Sequence, residues 1–399
     1  MMIPRLSPSF DCSDFGSVLF NNELNPIEQF EQELAVFAGM EYALAFPMAR
    51  SAMFAYITAM GWKGREIIIP AYTCAVVPNT IIQTGNIPVF VDIRTDDFNM
   101  QVGLIEAAVT TNTAAILLTH MYGFALDIEP LSRILKHRSD ITLLQDCALA
   151  MGTTLSNVPV CQNGSAAFFS FSLGKQLSTV EGGALVTDDV DVYEAVKAVR
   201  NERFSNPRIW RSMRQLTLML GAHVGFSPRI YPFVLWLHRH SNIFRGITDY
   251  YAENEIFVAG NYLETMPESL AGLGVSQLKK ANAILSARIE NSRYLRDVLE
   301  TCEGVRCPAD IEGASWSHLP CLVDDRDAFI GHMENCNVNV GCEVFNYSLS
   351  DMPIYREYVH GDFEVSRYVA QHIALIPNHA KLSQADLDAI RHGLDTWRQ

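Results

Sequence analysis

Short apolar runs recur through the first half of the chain, separated by helix-like segments. YALAF (42–46), EIIIP (66–70), IPVFVD (87–92), AAILLTH (114–120), ITLLQD (141–146), AAFFSF (166–171) and GALVTDD (183–189) are continuously apolar rather than alternating. That is the pattern of strands buried on both faces. Between the earlier runs lie the helix-like stretches SAMFAYITAM, CAVVPNTIIQTG and DIEPLSRILKH. Strands alternating with helices predict an α/β fold with a mostly parallel sheet covered on both sides. In such sheets, ligands sit at the carboxyl ends of the strands.

That rule locates the candidate chemistry. Asp146 closes ITLLQD, Ser170 follows AAFF, and Lys175 comes just beyond, in FFSFSLGKQLSTVEG. An ammonium group is rarely placed at the end of a core strand without a partner or a task. No Gly-x-Gly-x-x-Gly follows a strand, and neither a Walker lysine motif nor HExxH occurs, so dinucleotide, P-loop and zincin readings lose their usual support. Pyridoxal phosphate needs the groups that are present. Its aldehyde takes a lysine amine as a Schiff base, and its pyridine nitrogen takes a carboxylate that raises the ring's basicity. Its phosphate takes hydroxyls and backbone amides at a helix N-terminus. Lys175, Asp146, and Ser170 together with Arg50 and Ser51 match these three needs. Taken singly, an aspartate at a strand end is ordinarily a cap or turn residue, and a loop lysine is ordinarily solvated.

Composition narrows the classes. A chain of 399 residues that is 49% hydrophobic buries a large core and divides into two or more domains. Thirty basic against 45 acidic residues, a net charge of -15, argue against a nucleic-acid binder. Nine cysteines form an odd set without CxxC spacing, which suggests neither a disulfide framework nor a zinc site and fits a reducing cytoplasm. The opening MMIPRLSPSFDCSDFG does not read as a signal peptide. The apolar stretch 215–240 is interrupted by His223, Pro228 and Arg229 before it reaches the length of a membrane span. Buried helices are expected there. The alternative is a membrane-surface or partner-docking hairpin, because Arg208, Arg211, Arg214, Arg229, Arg239 and Arg245 surround its aromatic residues.

Longer stretches carry a resemblance. EIIIPAYTCAVVPNTIIQTGNIPVFVDIRTDDFNM (66–100), THMYGFALDIEPL (119–131), LLQDCALAMG (143–152) and FFSFSLGKQLSTVEGGALVTDD (168–189) resemble the DegT/StrS family of pyridoxal-phosphate-dependent sugar aminotransferases. The likeness runs from about residue 27 to about residue 390. It implies a fold type I transferase: a large domain with a mostly parallel seven-stranded sheet, here residues 1–260, and a smaller C-terminal α+β domain with its linking helix, 261–399. It makes Lys175 the Schiff-base lysine and the acid and base of proton transfer, and Asp146 the pyridinium partner. Ser170, Arg50 and Ser51 become the phosphate site. Cys74 in PAYTC takes the place of an aromatic that stacks on the pyridine ring in many members, with Tyr72 nearby.

The resemblance also implies glutamate as amino donor, a nucleotide-linked keto-sugar as acceptor, and a homodimer with shared sites. Dehydratase members carry histidine in place of the lysine, so Lys175 points to transfer. Three departures stand out. Leu149 replaces the Gln or His expected beside the cofactor's phenolic oxygen. Thr265 stands near the place of an arginine in the segment that reaches the partner subunit's phosphate, where Asn261 has no certain counterpart. The region 203–260 is longer and more apolar than the usual connection. These departures keep open a noncatalytic binding protein on the same fold, and family likeness alone also keeps open an acceptor that is not a nucleotide sugar. His120, Tyr122, Tyr347 and His379 stand as mouth-lining candidates, although buried structural roles are commoner for such residues.

Overall fold

A computed structural model describes residues 1–19, 25–241, 255–256, 260–342 and 346–397. Part of the long connection 203–260, including Arg245, lies outside the described residues.

The strands of the main sheet are β1 (Tyr42–Phe46), β2 (Glu66–Pro70), β3 (Ile87–Val91), β4 (Thr113–Thr119) and β5 (Thr142–Asp146). A short hairpin, β6 (Thr154–Leu155) and β7 (Val158–Pro159), precedes β8 (Ala166–Ser170) and β9 (Gly183–Thr187). Seven strands align in the order β1-β9-β8-β5-β4-β2-β3. Neighbours from β8 through β3 are parallel. Strand β9 is antiparallel to both β1 and β8, so it alone runs against the rest. The apolar runs become strands to within two residues. The run at 183–189 ends early because Asp189 leaves the strand to cap the helix Val190–Arg203, accepting from the amides of Asp191 and Val192.

Continuous hydrophobicity has a direct cause. Ile67, Ile69, Leu117 and Phe168 enter one buried cluster, packed against the helix Ala49–Ala59 through Ala52 and Tyr56. Their neighbours Ile68, Ile116 and Leu118 enter a second cluster, and Phe169 a third, across the sheet. Alternate residues face opposite sides, and here both sides are covered. Each fully buried large aliphatic side chain contributes roughly 1.5–3 kcal/mol, which fixes the register of the central strands.

A second sheet, antiparallel and three-stranded, is built from β10 (Val305–Arg306), β11 (Leu319–Val323) and β12 (Ile373–Ile376). Helices Ala281–Leu299, Arg326–Asn335 and Gln384–Asp395 cover it through Leu295, Phe329, Met333 and Ile390. The same cluster includes Tyr72, Tyr122, Phe124 and Leu149 from the loops of the first sheet, so the second sheet is packed onto the strand ends. The N-terminal segment joins in. The Ile3 amide donates to the Asn337 carbonyl at 2.8 Å, and the Asn339 amide donates back to the Ile3 carbonyl at 2.9 Å.

The apolar stretch 215–240 forms two helices, Ile209–Gly225 and Tyr231–His240. They are buried on one face only. Arg211, Gln215, Met219 and Ala222 point inward, whereas Met213, Leu220, Val224, Ile230, Phe233 and Trp236 are exposed, which corrects the expectation of buried helices. Among the described residues, no helix is long and apolar enough to cross a membrane.

Candidate active site

Asp146 is the last residue of β5, in register with Thr119 of β4 and Phe168 of β8. Its position in mid-sheet buries the carboxylate. One oxygen accepts from the Ala148 amide at 3.0 Å, and the other meets the Thr119 hydroxyl at 3.5 Å. Burial pushes the Asp146 carboxyl up, while the Ala148 amide, the Lys175 charge and Thr119 pull it down. Lys175 sits on the loop between β8 and β9, with its amide bonded to the Ser172 carbonyl at 2.9 Å. Burial pushes its ammonium down, and Cys74 and Asp146 hold it up. The structure therefore brings Lys175, Asp146 and Cys74 within electrostatic reach of one another. A buried acid and a half-buried lysine, each destabilised in its charged form at the strand ends, make a candidate functional pair.

Ser170 ends β8 and pairs with Gly183 of β9. Gly183 admits no side chain. A Cβ there would lie 2.1 Å from both the Ala49 nitrogen and the Met48 carbonyl carbon. That approach brings the N-terminus of the helix Ala49–Ala59 against β9, beside Ser170. Met48 provides no side-chain cap to the helix, so its first turn offers positive amide character to an anion. Arg50 lies in this turn, its Nε 3.1 Å from the Met48 sulfur. Ser51 is placed differently from the sequence expectation of a hydroxyl aimed at phosphate. It is fully buried, and its hydroxyl donates to the Tyr262 carbonyl at 2.8 Å.

The loop carrying the lysine is tied to the connection that leads into β11 by contacts that sequence reasoning did not single out. Gln176 accepts from the Met151 amide at 3.1 Å and donates to the Ser315 hydroxyl at 3.0 Å. The Ser315 hydroxyl also meets that of Thr153 at 2.8 Å. Nearby, the hydroxyls of Tyr72 and Tyr122 are bonded at 2.8 Å, and burial pushes both phenols up. Tyr72 is thus held in the core, leaving Cys74 as the neighbour of Lys175. Tyr122 adopts φ 57 and is followed by Gly123 at φ 86, where a Cβ would press on Ser315 and Trp316.

His318 is a further missed residue. Its ring lies 5.8 Å from that of Tyr122. Burial lowers its pKa well below the ordinary value, with Arg288, Lys175 and Arg5 acting in the same direction. The pattern SWSHLP gave no warning of this, because a single histidine before a strand has no chemical signature.

Other candidates take structural positions. His120 accepts from the Leu126 amide at 3.1 Å and donates to the Gln145 side chain at 2.8 Å, so it is a neutral, locked core histidine. His379 donates to the Pro4 carbonyl at 3.2 Å, and the Tyr347 hydroxyl accepts from the Ala75 amide at 3.2 Å. Leu149 is buried in the cluster with Tyr72, Tyr122 and Trp316. Asn261 donates to Glu181 at 2.9 Å, and the Thr265 amide bonds the Ser205 carbonyl at 2.8 Å. Glu181 also binds Arg211 at 3.2 Å and Arg214 at 3.3 Å, anchoring the exposed helical hairpin to the end of the lysine loop.

The pair Asp146 and Lys175 passes a test of fit to pyridoxal phosphate. The carboxylate lies at the strand ends with two hydrogen-bond partners and a burial cost that a cationic ring nitrogen would relieve, and the lysine charge is near enough to act on it. Comparison with known proteins agrees. A family model, the DegT/DnrJ/EryC1/StrS aminotransferase family, matches residues 20–395. The spore coat polysaccharide biosynthesis protein SpsC of Bacillus subtilis is 27% identical over 91% of this chain and 87% of its own length. A GDP-perosamine synthase of Caulobacter vibrioides is 25% identical over 92% and 89%. Among solved structures, E. coli GDP-4-keto-6-deoxy-D-mannose-3-dehydratase with bound hydrated PLP superposes with a TM-score of 0.78 at 21% identity, covering 99% of this chain and 100% of that one. A fold type I architecture, a lysine and an aspartate at its strand ends, and a match over nearly the whole length agree: the chain belongs to the DegT/DnrJ/EryC1/StrS aminotransferase family.

Proposed function

We propose that this protein is a pyridoxal-phosphate-dependent aminotransferase that moves an amino group from glutamate to a keto-sugar, nucleotide-linked, in cell-surface polysaccharide or amino-sugar biosynthesis. The observation that carries the reading is the buried Asp146 carboxylate at the end of β5 with the Lys175 charge near enough to act on it. The cofactor, when bound, supplies an electron sink and a carrier for the amino group.

The chain's own residues supply the rest. Asp146 would hold the ring nitrogen protonated, its own charge kept by the Ala148 amide and Thr119. Ser170, Arg50 and the start of the helix Ala49–Ala59 would bind the phosphate; Ser51, whose amide donates to the Met48 carbonyl and whose hydroxyl donates to the Tyr262 carbonyl, would fix that turn. Cys74 would border the ring. Burial lowers the Lys175 ammonium, so the free amine needed to take a proton from the donor's amino-bearing carbon is more accessible near neutral pH. In the reverse half, the same Nζ delivers a proton to the acceptor's former carbonyl carbon. A lysine here, where a histidine would mark a dehydratase, supports transfer.

The reading includes a cofactor-binding part, 1–260, and a covering part, 261–399. The second sheet, formed entirely from residues after 304, supports that division. A cytoplasmic homodimer with sites completed by both subunits belongs to the same proposal.

The test is the visible absorption of the purified protein with added pyridoxal phosphate, before and after glutamate, beside Lys175→Ala. The expected result is a band from the lysine-bound cofactor that bleaches with glutamate and is missing in the variant. No band at saturating cofactor would favour a noncatalytic binding protein. Activity that persists after the nucleotide is removed from the sugar would favour a simpler keto-sugar or a cyclitol acceptor.

A further inference from the structure

Between Glu202 and Asp249 the chain has no acidic residue, although its net charge is -15, and the same stretch has arginines at 203, 208, 211, 214, 229, 239 and 245. Within it stand the two helices Ile209–Gly225 and Tyr231–His240. The first helix is anchored through Arg211, which is buried and paired with Glu181 and Glu264. Its outer side has an apolar stripe. Met213, Leu220 and Val224 are spaced by seven and four residues, which places them on one face, and Met213 is 70% exposed. The second helix has Phe233, Trp236 and His240 at spacings of three and four. Their rings stack in a ladder with centroids 6.1 Å and 5.2 Å apart. Phe233 is 62% and Trp236 54% exposed. Arg208 and Arg229 are exposed at the start of the hairpin and at its turn, and His238 and His240 near its end.

Arg211 and Arg214 pair with Glu181, Arg211 also with Glu264, and Arg239 with Glu334, so the exposed positive charge rests on Arg208 and Arg229; beside the exposed aromatic and aliphatic side chains these form a surface that suits the boundary between anionic headgroups and acyl chains. Indole and phenyl rings partition into that boundary, and guanidinium groups meet the lipid phosphates. We propose that the hairpin 209–240 is a docking surface for an anionic phospholipid membrane, holding the protein peripherally on the bilayer. Charge decides against the two other occupants. A second copy bound isologously through this face would bring two hairpins of the same positive sign together, a repulsion that anionic headgroups do not present. Nucleic acid would find two phenyl and indole rings at the contact but a strongly negative remainder of the chain. The salt bridges from Arg211 and Arg214 to Glu181, beyond the lysine on its own loop, mean that the bound face is linked mechanically to the candidate active site.

The experiment is co-sedimentation of the full-length protein with vesicles of mixed phosphatidylglycerol and phosphatidylcholine, and with phosphatidylcholine alone, at low and high salt. The expected result is binding to the anionic vesicles that high salt weakens. The double variant Phe233→Ser, Trp236→Ser should bind about ten-fold or more weakly, and Arg229→Glu about five-fold or more weakly, with thermal unfolding unchanged. Should the double variant fail to fold, Met213→Ser and Arg229→Glu on separate parts of the hairpin give the same readout. Wild type that ignores anionic vesicles overturns the proposal, as does a folded double variant that binds as well as wild type. Light scattering separates the remaining case. If the double variant dissociates a larger assembly while wild type shows no lipid binding, another copy of the chain covers the face and the membrane reading is wrong.

Discussion

The Gln176 amide nitrogen donates to the Ser315 hydroxyl at 3.0 Å, joining the residue after Lys175 to the connection that leads into β11 of the second sheet. Gln176 is buried and its oxygen is used as well, by the Met151 amide at 3.1 Å. The position of the lysine loop and the packing of the two sheets are therefore one structural variable. Gln176→Ala would leave a buried amide and hydroxyl poorly bonded, at a cost of about 1–3 kcal/mol. We expect lower kcat with cofactor affinity changed less, because Ser170, Arg50 and Asp146 lie on other elements. Gln176→Glu, which keeps the acceptor but not the donor, should fall between. Steady-state kinetics beside a cofactor titration would check this. A purely structural role would lower the folded fraction and leave kcat per folded molecule unchanged.

Gly183 tests the cradle directly. Its missing side chain leaves room for the Ala49 nitrogen and the Met48 carbonyl carbon, both of which a Cβ would meet at 2.1 Å. These are backbone atoms and cannot rotate away. Gly183→Ala should destabilise the fold by about 1–3 kcal/mol and weaken cofactor binding, because the helix start must move away from Ser170. Gly103, where a Cβ meets nothing within 4 Å, is the control, and Gly103→Ala should leave cofactor affinity unchanged. Cofactor titration and thermal unfolding of both variants decide it.

Much of this was legible in the sequence, and the reasons are local. The seven strands declared themselves because both faces of the sheet are covered, so Ile67, Ile68 and Ile69 are all apolar whichever way they point. Asp146 and Lys175 were visible because strand ends in parallel sheets are where polar groups have work to do. The partner of the Ser51 hydroxyl was not legible, since the carbonyl it meets belongs to Tyr262, 211 residues away. Gln176 and His318 were missed for the same cause: their meaning comes from contacts across the interface between the sheets. The stretch 215–240 was read as buried because its inward and outward faces are both apolar, and only the three-dimensional structure separates Met219 from Leu220.

His120 gives a pH dependence of stability. Burial pushes its pKa from the ordinary 6.5 down to about 4. Between those values the unfolded chain takes up a proton that the folded chain excludes. Stability is therefore intact above pH 6.5 and falls as pH drops toward 4, a loss of about 3 kcal/mol if complete. His379, pushed to about 3 by burial, acts in the same direction over a wider window. Denaturant unfolding at about pH 7 and about pH 5 should show wild type losing about 2 kcal/mol more than His120→Gln. Equal losses would mean that another group controls the acid limb.

Gln215 is fully buried on the inner face of the helix Ile209–Gly225, and among the described residues neither its amide nitrogen nor its oxygen has a hydrogen-bond partner. An unmet amide in an apolar setting costs about 1–3 kcal/mol, while its methylenes already pack beside Met219 and Ala222 on the same helix face. Gln215→Met keeps the length and removes the polar atoms. The variant should be more stable by about 1–2 kcal/mol, seen as a higher denaturant midpoint with an unchanged slope. A destabilised variant would show instead that Gln215 is solvated by internal water. Because this position lies one turn from Arg211, the stabilised helix should also hold Glu181 and the end of the lysine loop more firmly, which slower hydrogen exchange at residues 178–182 would report.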